Sequence, residues 1–132
     1  MKFSLIYEAQ TVDSSREGDR KIFEDTVEQA VLADKLGFDT FWCVEHTALS
    51  NYSHMSAPET MLAFVAGKTE RIGIGHGVVC LPPAMNHPVK VAERIANSIG
   101  PAFDGFAPVA GTLPMDLEPA SFLLVQRAKV SK

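Results

Sequence analysis

Gly37-Phe38-Asp39-Thr40-Phe41-Trp42-Cys43-Val44-Glu45-His46 is the stretch that decides the fold. Its glycine ends whatever precedes it. Thr40 to Val44 is then nearly all apolar or β-branched, as in a strand covered on both faces. The run breaks at Glu45 and His46 into a polar loop that lasts to Met55. A buried strand that opens onto polar residues at its C-terminal end is the building unit of parallel α/β folds. This strand is expected over Asp39–Glu45.

The same unit is legible on either side. Upstream, Phe3 to Ala9 reads as a buried strand and Thr11 to Arg20 as a loop. From about Asp19 to Leu36, Phe23, Val27, Ala30, Val31 and Ala33-Asp34 fall at three- and four-residue steps. That spacing predicts an amphipathic helix, with Gly37 as its left-handed C-terminal cap. Downstream, Ser56-Ala57-Pro58-Glu59 opens a second helix, with Ser56 expected to cap it and Glu59 to reach back. Met61, Leu62, Phe64 and Val65 are its expected buried face. A third strand is expected from Arg71 to Leu81. Gly73, Gly75 and Gly77 interleave it, so that a flat ligand or a neighbouring backbone passes close by. Pro88 begins a third helix with Val89, Ala92, Ile95, Ala96 and Ile99 on one side, and Gly100-Pro101 stops it.

The strands begin near residues 3, 40 and 71, steps of 37 and 31 residues. A (β/α)8 barrel spends about 31 residues on each unit. Doubly wound sheets keep a similar rhythm, so spacing alone leaves both architectures open, including a compact doubly wound domain that uses the chain's tail as an extra strand.

Composition narrows the function. The chain has 132 residues and a net charge of −4. That balance argues against nucleic acid and anionic membrane surfaces as partners, since both select basic patches. No apolar run approaches the roughly 20 residues of a membrane span, and the N-terminal apolar stretch is too short for a signal peptide. Cys43 and Cys80 sit in apolar runs without CxxC spacing, as expected of two buried reduced thiols in a cytoplasmic protein.

In parallel α/β folds the chemistry gathers where the strands end. Three segments qualify: Glu8-Ala9-Gln10, Glu45-His46-Thr47 and Gly75-His76-Gly77-Val78. A carboxylate beside an imidazole suits proton handling near neutral pH, and it equally suits ordinary loop hydrogen bonds. A metal set drawn from Glu45, His46, His54 and His76 lacks HxH or HExxH spacing, so no metal is expected. Gly73-x-Gly75-x-Gly77 is not a dinucleotide fingerprint, because Val78 stands at the third-glycine position. His76, between two glycines, points to either side of the sheet on this reading.

The motifs also run in a familiar order. Val44-Glu45-His46 is followed by Tyr52-Ser53-His54-x-Ser56-Ala57-Pro58-Glu59, then by Thr69-x-Arg71-Ile72-x-Ile74-Gly75-His76-Gly77-Val78-Val79 and Leu81-Pro82-Pro83. Asn86-His87-Pro88-Val89-x-Val91-Ala92-Glu93-Arg94 closes the series. Together these resemble the N-terminal part of the bacterial luciferase-like flavin-dependent monooxygenases. The resemblance implies a (β/α)8 TIM-type barrel and an oxidoreductase using reduced FMN, with deazaflavin F420 in some branches. It implies O2 and a small organic molecule as substrates, and a flavin reductase as partner. His46 matches the histidine that supports the oxygen-carrying state of the flavin and activity. Glu45 matches the acidic neighbour close to the flavin. Gly77-Val78 matches the pair that lies against the ring and that can be joined by a non-proline cis peptide bond. Many relatives have a second histidine where Thr47 stands.

The resemblance covers residues 1–96. From Asn97 onward the family's continuation is missing, and residues 97–132 read as a divergent tail with four of the eight prolines. Ser121 to Val130 is open to a short helix or strand. The family's phosphate contacts come from later strands, so the expected architecture is three β/α units of a barrel, apparently truncated. Strands one and three are then left with unpaired edges, which favours a homo-oligomer or pairing with another chain. A non-catalytic fragment that self-associates is the alternative reading.

Overall fold

Three apolar runs pair as strands, each shorter than its sequence suggests. The computed structural model describes residues 1–82, 84–99 and 125–128. In chain order the elements are β1 (Ser4–Tyr7), α1 (Arg16–Leu36), β2 (Thr40–Cys43), α2 (Pro58–Ala66), β3 (Gly73–His76), α3 (Pro88–Ile99) and β4 (Val125–Ala128). β1, β2 and β3 are parallel and adjacent in chain order. Ala30 and Ala33 of α1, Leu62 and Val65 of α2 and Val91 of α3 share one core cluster with Phe41, Ile72 and Ile74. All three helices therefore cover one face of the sheet. That is the winding of a barrel segment, since a doubly wound sheet reverses its strand order and carries helices on both faces.

Register sorts the side chains. Tyr7, Cys43 and His76 are aligned across the sheet and face the helices, whereas Ile6, Trp42 and Gly75 are aligned on the opposite, inner face. The Trp42 indole lies on Gly75, where a Cβ would fall 2.4 Å from Trp42 Cζ3. The room left by this glycine is thus filled by a neighbouring ring and is not open to a ligand. Ile6 is 61% exposed on this face.

Several expectations change. α1 starts at Arg16, because the Ser15 side chain accepts from the Gly18 N–H at 3.1 Å. Gly37 caps it in the left-handed conformation, φ 83°, as its sequence position predicts. α2 has Ala57 at its N-cap position with no side-chain cap, so the Ser56 capping box does not form. Glu59 instead pairs with Arg94 of α3 at 3.4 Å. Phe64 is 54% exposed, while Leu62 and Val65 carry the burial. In α3, Val91 is buried and Val89 and Ala92 are exposed. Apolar residues around this turn left the pattern unable to choose a face. Cys43 is fully buried but Cys80 is only partly so, and both are free thiols.

The third strand is not an open edge. β4 pairs antiparallel with β3, Ile74 opposite Ala128 and His76 opposite Val125. Ser121 to Val130 thus contains a strand, and the remainder of the divergent tail, residues 100–124 and 129–132, lies outside the described residues. Among the described residues β1 forms the other edge. None of the described helices is long and apolar enough to cross a membrane.

Asp34, near the end of α1, stitches the first unit to the third strand. Its buried carboxylate accepts the backbone N–H groups of Glu70 at 2.8 Å, Arg71 at 3.1 Å and Ile72 at 2.8 Å. Its carbonyl accepts from the Arg71 guanidinium at 2.8 Å. Removing an acceptor that serves buried donors costs about 1–3 kcal/mol for each donor left unpaired. Asp34→Ala is expected to lower the unfolding free energy by about 3 kcal/mol in urea denaturation, with Asp34→Asn intermediate because one acceptor oxygen survives.

Candidate active site at the strand ends

The C-terminal ends of β1, β2 and β3 meet along one rim, tied by backbone. Val44 N–H donates to Tyr7 O at 3.2 Å, Gly77 N–H to Cys43 O at 2.6 Å and Glu45 N–H to Val78 O at 3.0 Å. The loop after β2 folds back across the rim. His46 N–H donates to Met55 O at 2.8 Å and His54 N–H to Ala9 O at 3.2 Å. Thr11 N–H donates to Tyr52 O at 3.0 Å, and the Ser53 hydroxyl donates to Glu8 O. Ala9 takes a positive φ of 47°, a conformation costly for a residue with a Cβ, at the point where the chain turns away from β1.

Glu45 and His46, neighbours in sequence, go to different partners. Glu45 is buried, and its Oε2 accepts the Cys80 N–H at 2.9 Å while its Oε1 accepts from Asn86 Nδ2 at 3.3 Å. It holds the exit of β3 and is not free at the rim. His46 is half-buried and meets the Tyr52 ring edge-on, 5.6 Å between centroids and 75° between planes. Tyr52 in turn donates to Glu8 Oε2 at 2.6 Å, and Gln10 Nε2 reaches both Glu8 Oε2 at 2.8 Å and the Tyr52 hydroxyl at 3.1 Å. No hydrogen bond joins Glu45 and His46 among the described residues. Gly77 is buried and Val78 half-buried beside them, joined by a trans peptide bond.

The side chains of the other two histidines of interest do not join this set. His54 Nδ1 lies against Asp19 of α1 and its Nε2 faces the Ser50 carbonyl at 2.9 Å. Both ring nitrogens meet acceptors, an arrangement satisfied only by the imidazolium. The Ser50 carbonyl and Asp19 hold its pKa above the ordinary 6.5. His76 is 1% exposed on the helix side, and among the described residues neither ring nitrogen has a partner. Burial pushes its pKa down to about 4, so it is neutral. Among the described residues no group of three or more His, Cys, Asp or Glu is arranged around a metal position.

Sequence reasoning assigned no role to Tyr52, Asn86 or Asp19. Each acts across a boundary between units, where only the fold brings partners together. The signals were an aromatic in a polar loop and an asparagine beside the His87-Pro88 helix start.

The two histidines set opposite pH dependences. Between pH 4 and 6.5 the unfolded chain protonates His76 and the fold does not, so stability falls as pH drops through that window, by about 3 kcal/mol in all. The His54 contribution is complete below 6.5 and is lost as pH rises through its raised folded-state pKa. Thermal unfolding followed against pH should show His76→Phe flattening the acid limb and Asp19→Asn reducing the limb above 6.5, where the Ser50 carbonyl still favours the charged ring, each leaving the other limb in place.

The profile of the family described as luciferase-like monooxygenase matches residues 1–97. The chain is 30% identical over 96 residues to the oxygenase component of a flavin-dependent trigonelline monooxygenase of Acinetobacter baylyi, covering 73% of this chain and 26% of the relative. It is 42% identical over 62 residues to limonene 1,2-monooxygenase of Rhodococcus erythropolis, which is 47% of this chain and 15% of that one. Among solved structures it is similar to a type II Baeyer–Villiger monooxygenase, the oxygenating constituent of 3,6-diketocamphane monooxygenase of Pseudomonas putida, in complex with FMN. That likeness has a TM-score of 0.63 and 28% identity, and covers 73% of this chain and 25% of the other. The chain therefore spans about a quarter or less of the length of these relatives. The matched residues hold all three parallel strands, their helices and the rim at the strand ends: the chain belongs to the luciferase-like monooxygenase family.

Proposed function

We propose that this chain supplies the first three units of a flavin-dependent monooxygenase that uses reduced flavin and O2 on a small organic substrate. The observation that carries the reading is the convergence of His46 and Gly77-Val78 on one rim at the strand ends. A Cβ at Gly77 would lie 3.2 Å from Ile6 Cδ1 and 3.4 Å from Cys43 O and Val44 Cγ1, so this glycine lets β1 and β2 close tightly against the exit of β3. Reduced flavin, when bound, supplies the electrons that activate O2. His46 holds a proton at the rim, and Tyr52 packs against its ring. Glu45 contributes to cofactor binding from behind, by holding the segment that contains Val78 and Cys80. FMN is favoured over F420, because a structural relative is in complex with it. A separate flavin reductase is the expected partner, since a relative is the oxygenase component of its system. A cytoplasmic location follows from that dependence on reduced cofactor.

Trp42 is the only tryptophan and lies on the inner face, so its emission reports flavin binding. Titration with FMN is expected to quench it saturably. With residues 1–96 grafted onto the remaining units of a relative, His46→Ala is expected to cut reductase-coupled substrate oxygenation by about 100-fold or more. FMN affinity should stay within about twofold, because a proton-handling group acts on the reaction more than on binding. Equal losses of both would count against the role of His46.

A second reading has its own observation. Ile6 is 61% and Phe3 57% exposed at the β1 edge, leaving apolar surface for another chain. A non-catalytic, self-associating fragment would elute as dimers or larger species on gel filtration and leave Trp42 emission unchanged by FMN.

A further inference from the structure

Asn86 sits where the second and third units meet. Its Nδ2 donates to the Cys80 carbonyl at 2.7 Å and to Glu45 Oε1 at 3.3 Å. Its Oδ1 accepts from Arg94 Nη2 at 3.1 Å, and Arg94 Nε is 3.4 Å from Glu59 Oε1. A guanidinium only donates, so the amide oxygen must face Arg94 and the amide nitrogen must face Glu45 and Cys80. Glu45 Oε2 takes the Cys80 N–H, and the Glu45 backbone N–H takes the Val78 carbonyl. The segment Val78–Cys80, which lies beyond β3, is therefore held by Glu45, just after β2, and by Asn86, just before α3, with Arg94 of α3 and Glu59 of α2 behind Asn86.

We propose that Asn86 is a positioning residue: oriented by Arg94, it acts through Glu45 and the Cys80 carbonyl to fix the Val78–Cys80 segment. The inference rests on the flavin reading for what the segment is for, and on this structure alone for how it is held. Asn86 differs from an ordinary loop staple in its charge logic. It places a neutral donor against a buried carboxylate. An acid at that position faces Glu45 with a like charge until the two share a proton.

Cys80 is the reporter. It is partly exposed, while Cys43 is fully buried with a thiol pushed up to about 12, so labelling of Cys43 marks global opening. The reagent is a dipyridyl disulfide, which also reacts with thiols under acid conditions. Asn86→Ala is expected to speed Cys80 labelling about tenfold without exposing Cys43. Asn86→Asp should do the same at about pH 8, and return to the rate of the unaltered chain at about pH 5, where the shared proton restores a donor. Rates within about twofold of the unaltered chain in Asn86→Ala, or no acid reversal in Asn86→Asp, would overturn the proposal. Should both variants expose Cys43, hydrogen exchange in the unaltered chain decides. A Cys80 amide as protected as that of Gly77 supports the proposal, and one exchanging like a free loop amide refutes it. Addition of FMN separates the two readings. Slower Cys80 labelling supports both. No effect of FMN, together with the two Asn86 results above, sustains the positioning role while the flavin reading fails.

Discussion

The carboxylate of Asp34 sets the register of the sheet. It collects three backbone N–H groups just before β3, and the next residue, Gly73, donates to Asp39 O at 2.9 Å to start the ladder with β2. Strand side chains alternate, so a slip of one residue would exchange the two faces. Ile72, Ile74 and His76 would then leave the helices, and the glycines would enter the core. Everything on the rim inherits this registration: Gly77 and Val78 reach Cys43 and Glu45 only because the ladder begins where Asp34 places it.

The unit rhythm was legible because the apolar runs, Gly37 and Pro88 are local signals. Gly37 needed only its own backbone freedom to end α1, and Thr40–Val44 only its composition to pair. Failures came where a partner lay outside the window. Glu59 reads as a capping residue until α3 brings Arg94 to it. Phe64 reads as core until the packing of α2 assigns the burial to Leu62 and Val65. Gly75 reads as space for a ligand until Trp42 occupies it. Glu45 and His46 adjoin in sequence but not in their partners. The fold sends one toward β3 and the other toward Tyr52.

The two uninvolved histidines show how much context decides. His54 has an acceptor at each nitrogen and favours the charged ring, tying the β2–α2 loop to α1. Among the described residues His76 has a partner at neither, and it is kept neutral by burial. The same side chain thus clamps a loop in one place and sits as a polar intruder in the core in another. Neither outcome depends on the residues next to it in sequence.

β4 has a further consequence. It runs antiparallel along the edge of β3, the edge to which a barrel adds its next parallel strand. The ladder groups on that side are already engaged, so growth of the parallel sheet is an exchange reaction: an incoming strand displaces β4 before it pairs. The free energy of barrel closure is therefore reduced by whatever β4 contributes, and its rate is coupled to how often that edge opens.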